Sequence, residues 1–150
     1  MYKKILVPLD GSKRAEVILP HVENLALNYK AKVVFMRVVE STYFAPDFAD
    51  SVDISGYTDE YKRRDREAET YLNGLRGEFR EKGIEAGIVV AHGSVVQSIL
   101  DAAEQEDTGL IAIASHGRTG LSRAFYGSVA AGVLNRADRP LLIIRSRRAD

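Results

Sequence analysis

Five short apolar runs, spaced along the chain and separated by longer segments of mixed character, constrain the fold of this sequence most strongly. Each run is bounded by charged residues or turn residues. Continuous apolar runs of this kind are typical of strands that are covered on both faces, as in a parallel sheet. The runs are Ile5–Leu9, Lys32–Val39, Ile84–Ala91, Leu110–Ala114 and Leu141–Ile144.

The segments between these runs carry apolar residues at helical spacing. They predict four helices, at Lys13–Asn28, 57–82, Ser94–Glu106 and Ser128–Arg136. Ser12 is predicted to cap the first helix, and Ser94 with Gln97 fits a capping box at the start of the third. Pro20 predicts a kink in the first helix or a different boundary, and Gly83 is the expected stop of the second.

Strands that alternate with helices predict an α/β fold with a doubly wound, five-stranded and mostly parallel sheet. The expected strand order is 3-2-1-4-5, in a Rossmann-like single domain covering residues 1–150. No internal repeat and no linker-like tract divides the chain. Residues 41–56 have no clear period, and a connection of this length is usually a functional loop or a disordered one. Its aromatic residues, Tyr43, Phe44 and Phe48, are expected to pack on a partner or a ligand.

Composition argues against several function classes. Lys and Arg number 21, as do Asp and Glu, so no net positive charge favours nucleic acid or a membrane surface as a partner. Cysteine is absent, which rules out a disulfide framework and a thiolate metal site. The first apolar run is too short for a signal peptide or a membrane span. A cytoplasmic location is therefore expected.

A glycine-rich stretch connects the fourth predicted strand to the last predicted helix and carries most of the unusual residues. From Ile113 to Val129 it reads I-A-S-H-G-R-T-G-L-S-R-A-F-Y-G-S-V. A glycine-rich turn between a strand and a helix exposes backbone N–H groups and places an anion at the helix N-terminus. We predict that this stretch holds the phosphates of a nucleotide, with Gly127 and Ser128 at the start of the helix.

Asp10 follows the first strand and belongs to the same predicted site. In open α/β sheets, ligands bind at the carboxyl ends of strands where the strand order reverses, which here lies between the first and fourth strands. A carboxylate at that point has three readings: it binds a ribose hydroxyl, it ligates a metal such as Mg²⁺, or it caps the first helix.

Catalytic motifs are missing from the sequence. Neither a Walker A sequence, nor a G-x-G-x-x-G turn after the first strand, nor a G-x-S-x-G elbow is present. His116 is interpreted as a residue that lines the pocket rather than as a general base, because no nucleophile is placed beside it. We assign no catalytic residue. Slow ATP hydrolysis stays open, as does a metal-dependent phosphohydrolase that uses Asp10.

The sequence resembles the universal stress protein family in four places. The pieces are K-K-I-L-V-P-L-D-G-S, F-M-R-V-V-E, the stretch from Ile113 to Val129, and R-P-L-L-I-I-R. Nucleotide-binding members of the family carry G-x2-G-x9-G-[ST]. In this chain Gly117, Gly127 and Ser128 occupy the last positions of that motif, and Ala114 stands in place of its first glycine.

The resemblance implies a stress-response protein with an adenine nucleotide alpha hydrolase-like fold that binds ATP or AMP, with or without Mg²⁺, as a switch with little or no hydrolysis. It places Asp10 at the ribose and adenine, and Pro8 and Val38 near the base. The residues implied around the phosphates are Gly117, Arg118, Gly127, Ser128 and Val129, with Ala114 and His116 beside them. It also implies a homodimer through the last strand (Leu141, Leu142, Ile143 and Ile144). Because Ala114 departs from the motif, a dimeric interaction module that binds no nucleotide is the alternative.

Overall fold

The computed structural model describes residues 1–40, 54–116 and 127–146, and there strands and helices alternate along the chain. The strands are β1 (Lys4–Pro8), β2 (Lys32–Val39), β3 (Ala86–His92), β4 (Leu110–His116) and β5 (Leu141–Ser146). The α-helices are α1 (Leu19–Tyr29), α2 (Ile54–Glu81), α3 (Val95–Gln105) and α4 (Ser128–Arg136), and a 3-10 turn, Ala15–Ile18, precedes α1. None of the described helices is long and apolar enough to cross a bilayer.

The sheet has the order β3-β2-β1-β4-β5, and every pair of neighbouring strands is parallel. This confirms the predicted α/β fold and its strand order. Ile5 of β1 is in register with Val33 of β2 on one side and with Leu110 of β4 on the other. The strand order therefore reverses between β1 and β4, and their carboxyl ends lie side by side at the centre of the sheet.

Two hydrophobic layers cover the two faces of the sheet. Successive side chains of a strand point to opposite faces, so each apolar run feeds both layers, which explains why the runs are continuous rather than alternating. One layer joins the strands to α1 and α2 and includes Ile5, Val7, Phe35, Leu72 and Phe79. The other joins them to α3 and α4 and includes Leu6, Met36, Ile99, Ile113 and Val133.

The predicted start of the first helix at Lys13 is wrong. The chain first makes the 3-10 turn, and α1 begins only at Leu19, so Pro20 lies in its first turn. At that position the missing N–H of proline costs no helical hydrogen bond. Ser12 does not cap α1 as predicted; its hydroxyl accepts a hydrogen bond at 3.2 Å from the N–H of Ala15, the first residue of the 3-10 turn.

Helix α2 begins at Ile54, three residues before the predicted start, and Gly83 ends it as expected. Gly83 has a φ of +80°, and its N–H donates to the Arg80 carbonyl at 3.0 Å, while the Ile84 N–H donates to the Phe79 carbonyl at 3.0 Å. This pair of bonds is a Schellman motif. Because Ile84 completes the motif, β3 begins at Ala86 and not at Ile84 as predicted.

The predicted capping box at the start of α3 is also wrong. Ser94 is the N-cap but makes no side-chain capping bond. The Gln97 side chain has other partners, since its amide donates to Asp101 at 2.7 Å and accepts a bond from the Arg136 guanidinium. Strands β4 and β5 each extend two residues beyond their predicted ends. Their backbones stay paired past the apolar runs, at positions whose side chains are polar.

Lys30 ends α1 in the left-handed region, with φ 52° and ψ 43°. This conformation costs an L-residue about 1–2 kcal/mol, and glycine avoids the penalty but loses more chain entropy on folding. We expect Lys30→Gly to raise the free energy of unfolding by about 0.5 kcal/mol. Lys30→Ala, which keeps the strain, should give no gain in the same urea titration; equal stabilities of the two variants would contradict the explanation.

Candidate functional site

A cavity of about 500 Å³ opens at the carboxyl ends of β1, β2 and β4. Helices α3 and α4 bound it on one side of the sheet, and α2 bounds it on the other. Its position at the reversal of strand order is where ligands of open α/β folds bind. Seven of the predicted site residues line it: Pro8, Asp10, Val38, Ala114, Gly127, Ser128 and Val129.

The other three predicted site residues, His116, Gly117 and Arg118, belong to the glycine-rich stretch at the end of β4 and beyond it. His116 is the last residue of β4, and its side chain lies outside the part of the chain that the structure describes. Gly117 and Arg118 lie outside the described residues altogether, as do the three aromatic residues of segment 41–53. Their predicted roles stay predictions.

Helix α4 begins at the cavity wall. Gly127 is its N-cap, and the first helical hydrogen bond runs from the Ala131 N–H to the Gly127 carbonyl at 2.9 Å. The N–H groups before Ala131 therefore have no partner within the helix, and glycine provides no side chain to cap them. These amides and the positive end of the helix dipole favour an anion at Ser128 and Val129.

Ser115 is a site residue that sequence reasoning missed. It lines the cavity, it is only 2% exposed, and within the described residues its hydroxyl has no hydrogen-bond partner. Strand alternation turns its side chain to the same face as Ile113, which packs in the layer formed with α4. A buried hydroxyl without a partner costs about 1–3 kcal/mol, and a ligand oxygen in the cavity would satisfy it.

Asp10 is exposed at the rim of the cavity, two residues after the end of β1. One of its carboxylate oxygens accepts a hydrogen bond from the Ser12 N–H at 2.8 Å, which stabilises the turn at Gly11. It does not cap the first helix as the third reading supposed, because the 3-10 turn begins only at Ala15 and α1 at Leu19. A carboxylate accepts more than one bond, and this role leaves ribose binding possible. No group of three or more metal-ligating side chains occurs among the described residues, and Mg²⁺ at Asp10 stays a prediction.

Ala114, which replaces the first glycine of the family motif, adopts ordinary strand geometry. It pairs in register with Ile144. Lys30 and Asp107 are the described non-glycine residues with a positive φ, so Ala114 is not strained. The position therefore requires no backbone angle reserved for glycine.

Charged residues that the sequence reasoning did not assign also line the cavity. Glu40, Arg64 and Glu67 are exposed at its rim, whereas Arg37 is half-buried in its wall. The Arg37 guanidinium lies 5.6 Å from the centre of the Tyr71 ring. Its position inside an apolar run, most of whose members are buried in the core, was the available signal.

Burial raises the pKa of Tyr71 to about 12, and the Glu16 carboxylate adds to this effect. The positive charge of Arg37 opposes the shift, and Asp10 reinforces it. The phenol therefore stays protonated well beyond neutral pH. The side chain beneath Arg37 is a neutral aromatic ring.

Helix α2 is joined to the end of β3 next to the cavity. His92 Nε2 lies 2.7 Å from the Asp65 carboxylate, and the His92 ring stacks on Tyr61 at 5.3 Å between centroids. These contacts hold the segment of α2 that includes Arg64 and Glu67, and both residues lie at the cavity rim.

Comparison with known proteins identifies the family. A sequence model of the universal stress protein family matches residues 1–145. The chain belongs to the universal stress protein family. Universal stress protein MJ0577 of Methanocaldococcus jannaschii is 26% identical over 157 aligned residues, which cover 98% of this chain and 97% of that protein.

Solved structures of universal stress proteins share the whole fold. The structure of MJ0577 superposes with a TM-score of 0.80 at 26% identity, covering 99% of each chain. A family member from Burkholderia pseudomallei superposes with a TM-score of 0.72 at 26% identity, covering 95% of this chain and 96% of that one.

Two more distant structures contain a nucleotide. One is a universal stress protein in complex with cAMP, 19% identical and with a TM-score of 0.66 over 97% of this chain and 98% of that one. The other is an Arabidopsis thaliana family protein with AMP bound, 17% identical and with a TM-score of 0.66 over 99% of this chain and 94% of that one.

Proposed function

We propose that this universal stress protein binds an adenine nucleotide, ATP or AMP, in the cavity and acts as a nucleotide-dependent switch with little or no hydrolysis. The observation that carries the proposal is the buried hydroxyl of Ser115, which has no described partner and lies in the same cavity as the start of α4. A phosphate in the cavity gives that hydroxyl and the helix amides their missing acceptor.

Different parts of the cavity wall match the base, the ribose and the phosphates of such a nucleotide. Apolar side chains near Pro8 and Val38, including Met36 and Ile99, form a surface for the base. Asp10 is assigned to the ribose, because its carboxylate accepts hydrogen bonds from hydroxyl groups. The phosphates are assigned to Gly127, Ser128 and Val129. Family structures that contain AMP and cAMP support the choice of an adenine nucleotide.

The remaining parts of the proposal concern residues and partners beyond these walls. Ala114 and His116, with Gly117 and Arg118, are proposed to complete the phosphate site, and Mg²⁺ is proposed to accompany ATP near Asp10. Strand β5 lies at the edge of the sheet, and its residues Leu141–Ile144 are half-buried. An edge strand of this kind pairs readily with a second copy, so we propose a homodimer there. A single domain and a cytoplasmic location stay predictions.

Calorimetric titration of the purified protein with AMP, and with ATP in the presence and absence of Mg²⁺, tests the function. We expect saturable binding with one site per chain. Mass spectrometry of the denatured protein reports any nucleotide that copurifies. Absence of both binding and copurified nucleotide would reject the proposal and favour the alternative, a dimeric interaction module that binds no nucleotide.

Ser115→Ala is expected to have effects of opposite sign on stability and on binding. Without ligand, removal of a buried hydroxyl that has no described partner should raise the free energy of unfolding by up to about 1 kcal/mol. With ligand, loss of a hydrogen bond to a charged oxygen should lower AMP affinity by about tenfold. Urea unfolding and calorimetry measure the two effects.

Ser146→Ala is the matched control for this variant. Ser146 is also a buried serine at the end of a strand, 6% exposed, but it does not line the cavity. We expect its substitution to leave AMP affinity unchanged. A Ser115→Ala variant that is less stable without ligand, or that binds AMP as tightly as the parent, would contradict the role given to Ser115.

A further inference from the structure

Arg37 is the half-buried charged residue of the cavity wall, at the carboxyl end of β2. Its guanidinium lies over Tyr71 and against the backbone of Gly11. A Cβ on Gly11 would come within 3.1 Å of Nη1 and 3.3 Å of Nη2. Gly11 therefore leaves room for the guanidinium beside the turn that begins at Asp10.

Within the described part of the chain, the Arg37 guanidinium makes no hydrogen bond and no ion pair. It lies beside an aromatic ring and a glycine, neither of which neutralises a cation. Asp10 and Glu16 are near enough to affect the pKa of the underlying tyrosine, but neither forms an ion pair with Arg37. A guanidinium has five N–H donors and prefers planar, bidentate oxygen acceptors such as phosphate, so an anion in the cavity would be stabilised here.

Arg37 and the start of α4 lie on opposite faces of the sheet. Arg37 follows Phe35 by two residues, so its side chain points to the α2 face, where Phe35 packs. Ala130 of α4 packs in the layer on the other face, with Met36 of β2. The cavity extends over the strand ends between these two faces. The cavity thus offers one anion-binding group on each of the two faces of the sheet.

We propose that Arg37 binds a second phosphate, carried on the 2′ or 3′ oxygen of the ribose, in a nucleotide whose 5′ phosphate lies at the start of α4. The inference rests on the proposed function, because Asp10 is assigned to the ribose there. A substituent on the sugar hydroxyls beside Asp10 reaches the adjacent Gly11 turn, against which the guanidinium lies. Arginine recognises ribose phosphates in this way in other α/β folds. The ligand class is a ribose-phosphorylated adenine nucleotide.

Three ligands separate this inference from the proposed function: AMP, adenosine 2′,5′-bisphosphate and adenosine 3′,5′-bisphosphate. Calorimetry on the full chain gives the ratio of the AMP dissociation constant to that of each bisphosphate. We expect one bisphosphate to bind about tenfold more tightly than AMP, and the identity of that ligand decides between the 2′ and 3′ positions. In Arg37→Met, which keeps the packing of the side chain on Tyr71 but removes the charge, the ratio should fall to about one.

Arg66→Met is the control for the change in net charge, because Arg66 is an exposed arginine on α2 that does not line the cavity. It should keep the tenfold ratio. Equal affinities of the parent protein for AMP and both bisphosphates would overturn the inference while leaving the proposed function intact. A tenfold ratio that survives in Arg37→Met would also overturn it, whereas failure of all three ligands to bind would reject the proposed function and the inference together.

Discussion

Replacing Ser128 with aspartate is expected to lower the affinity for AMP by about 100-fold, which corresponds to about 2.7 kcal/mol. Ser128 is the first residue of α4 and is exposed to the cavity. A carboxylate at this position occupies the place of the ligand phosphate and repels it at a distance where salt screens little. The same carboxylate interacts favourably with the helix dipole, so the ligand-free protein should be as stable as the parent or slightly more stable.

Ser128→Asn is the matched control, since it has nearly the same shape as aspartate but no charge. We expect it to reduce AMP affinity only slightly, and calorimetry on both variants separates charge from size. Equal losses in the two variants would show that the phosphate does not lie at the start of α4. Urea unfolding of the ligand-free proteins tests whether the aspartate variant is folded.

The sheet could be predicted from the sequence because its strands are buried on both faces. Ile5, Phe35 and Ile111 each lie in a continuous apolar run, and such runs between helical segments leave few alternatives to a parallel α/β sheet. The fold class alone does not determine the strand order, since doubly wound sheets occur with more than one order. The meeting of Pro8 and Ala114 at one cavity was predicted on the expected order 3-2-1-4-5, which the structure confirms. The ends of the strands were less predictable. Ser115 belongs to β4 because its backbone pairs with β5, and the polarity of a side chain does not indicate whether its backbone is paired.

Two polar residues of the cavity wall, Arg37 and Ser115, were not predictable for a related reason. Arg37 and Ser115 stand within or directly after strands, where residue type alone does not show whether a side chain meets solvent, core or cavity. Both were assigned to the site because the structure describes no hydrogen-bond partner for their polar groups. Whether a polar group has such a partner depends on the tertiary structure. The prediction of a capping box at Ser94 was wrong for a similar reason, because the Gln97 side chain accepts a hydrogen bond from Arg136, a residue of another helix.

Contact between α3 and α4 determines where the start of α4 lies, and Gly132 makes this contact possible. A Cβ on Gly132 would lie 2.7 Å from Cγ2 of Val96 and 3.3 Å from its Cγ1. Glycine in a helix usually costs about 1 kcal/mol relative to alanine, so a substitution to alanine is normally favourable. Here we expect the opposite, a loss of about 2 kcal/mol in the free energy of unfolding for Gly132→Ala. Valine is β-branched and cannot rotate away easily.

Two further variants isolate the cause of this loss. Gly74→Ala adds a methyl group to α2 at a position where, apart from the adjacent residues and the backbone of the helix itself, no described atom lies within 4 Å. It should raise the free energy of unfolding by about 1 kcal/mol. In a Val96→Ala background, Gly132→Ala should lose its penalty, since the clashing methyl groups are gone. Urea unfolding of the four combinations at Val96 and Gly132 measures the coupling, and additive effects would contradict the close contact. Because α4 carries Ser128 and Val129, a shift of α4 in the Gly132→Ala protein should also lower its AMP affinity. Relief of the clash by Val96→Ala should then restore that affinity.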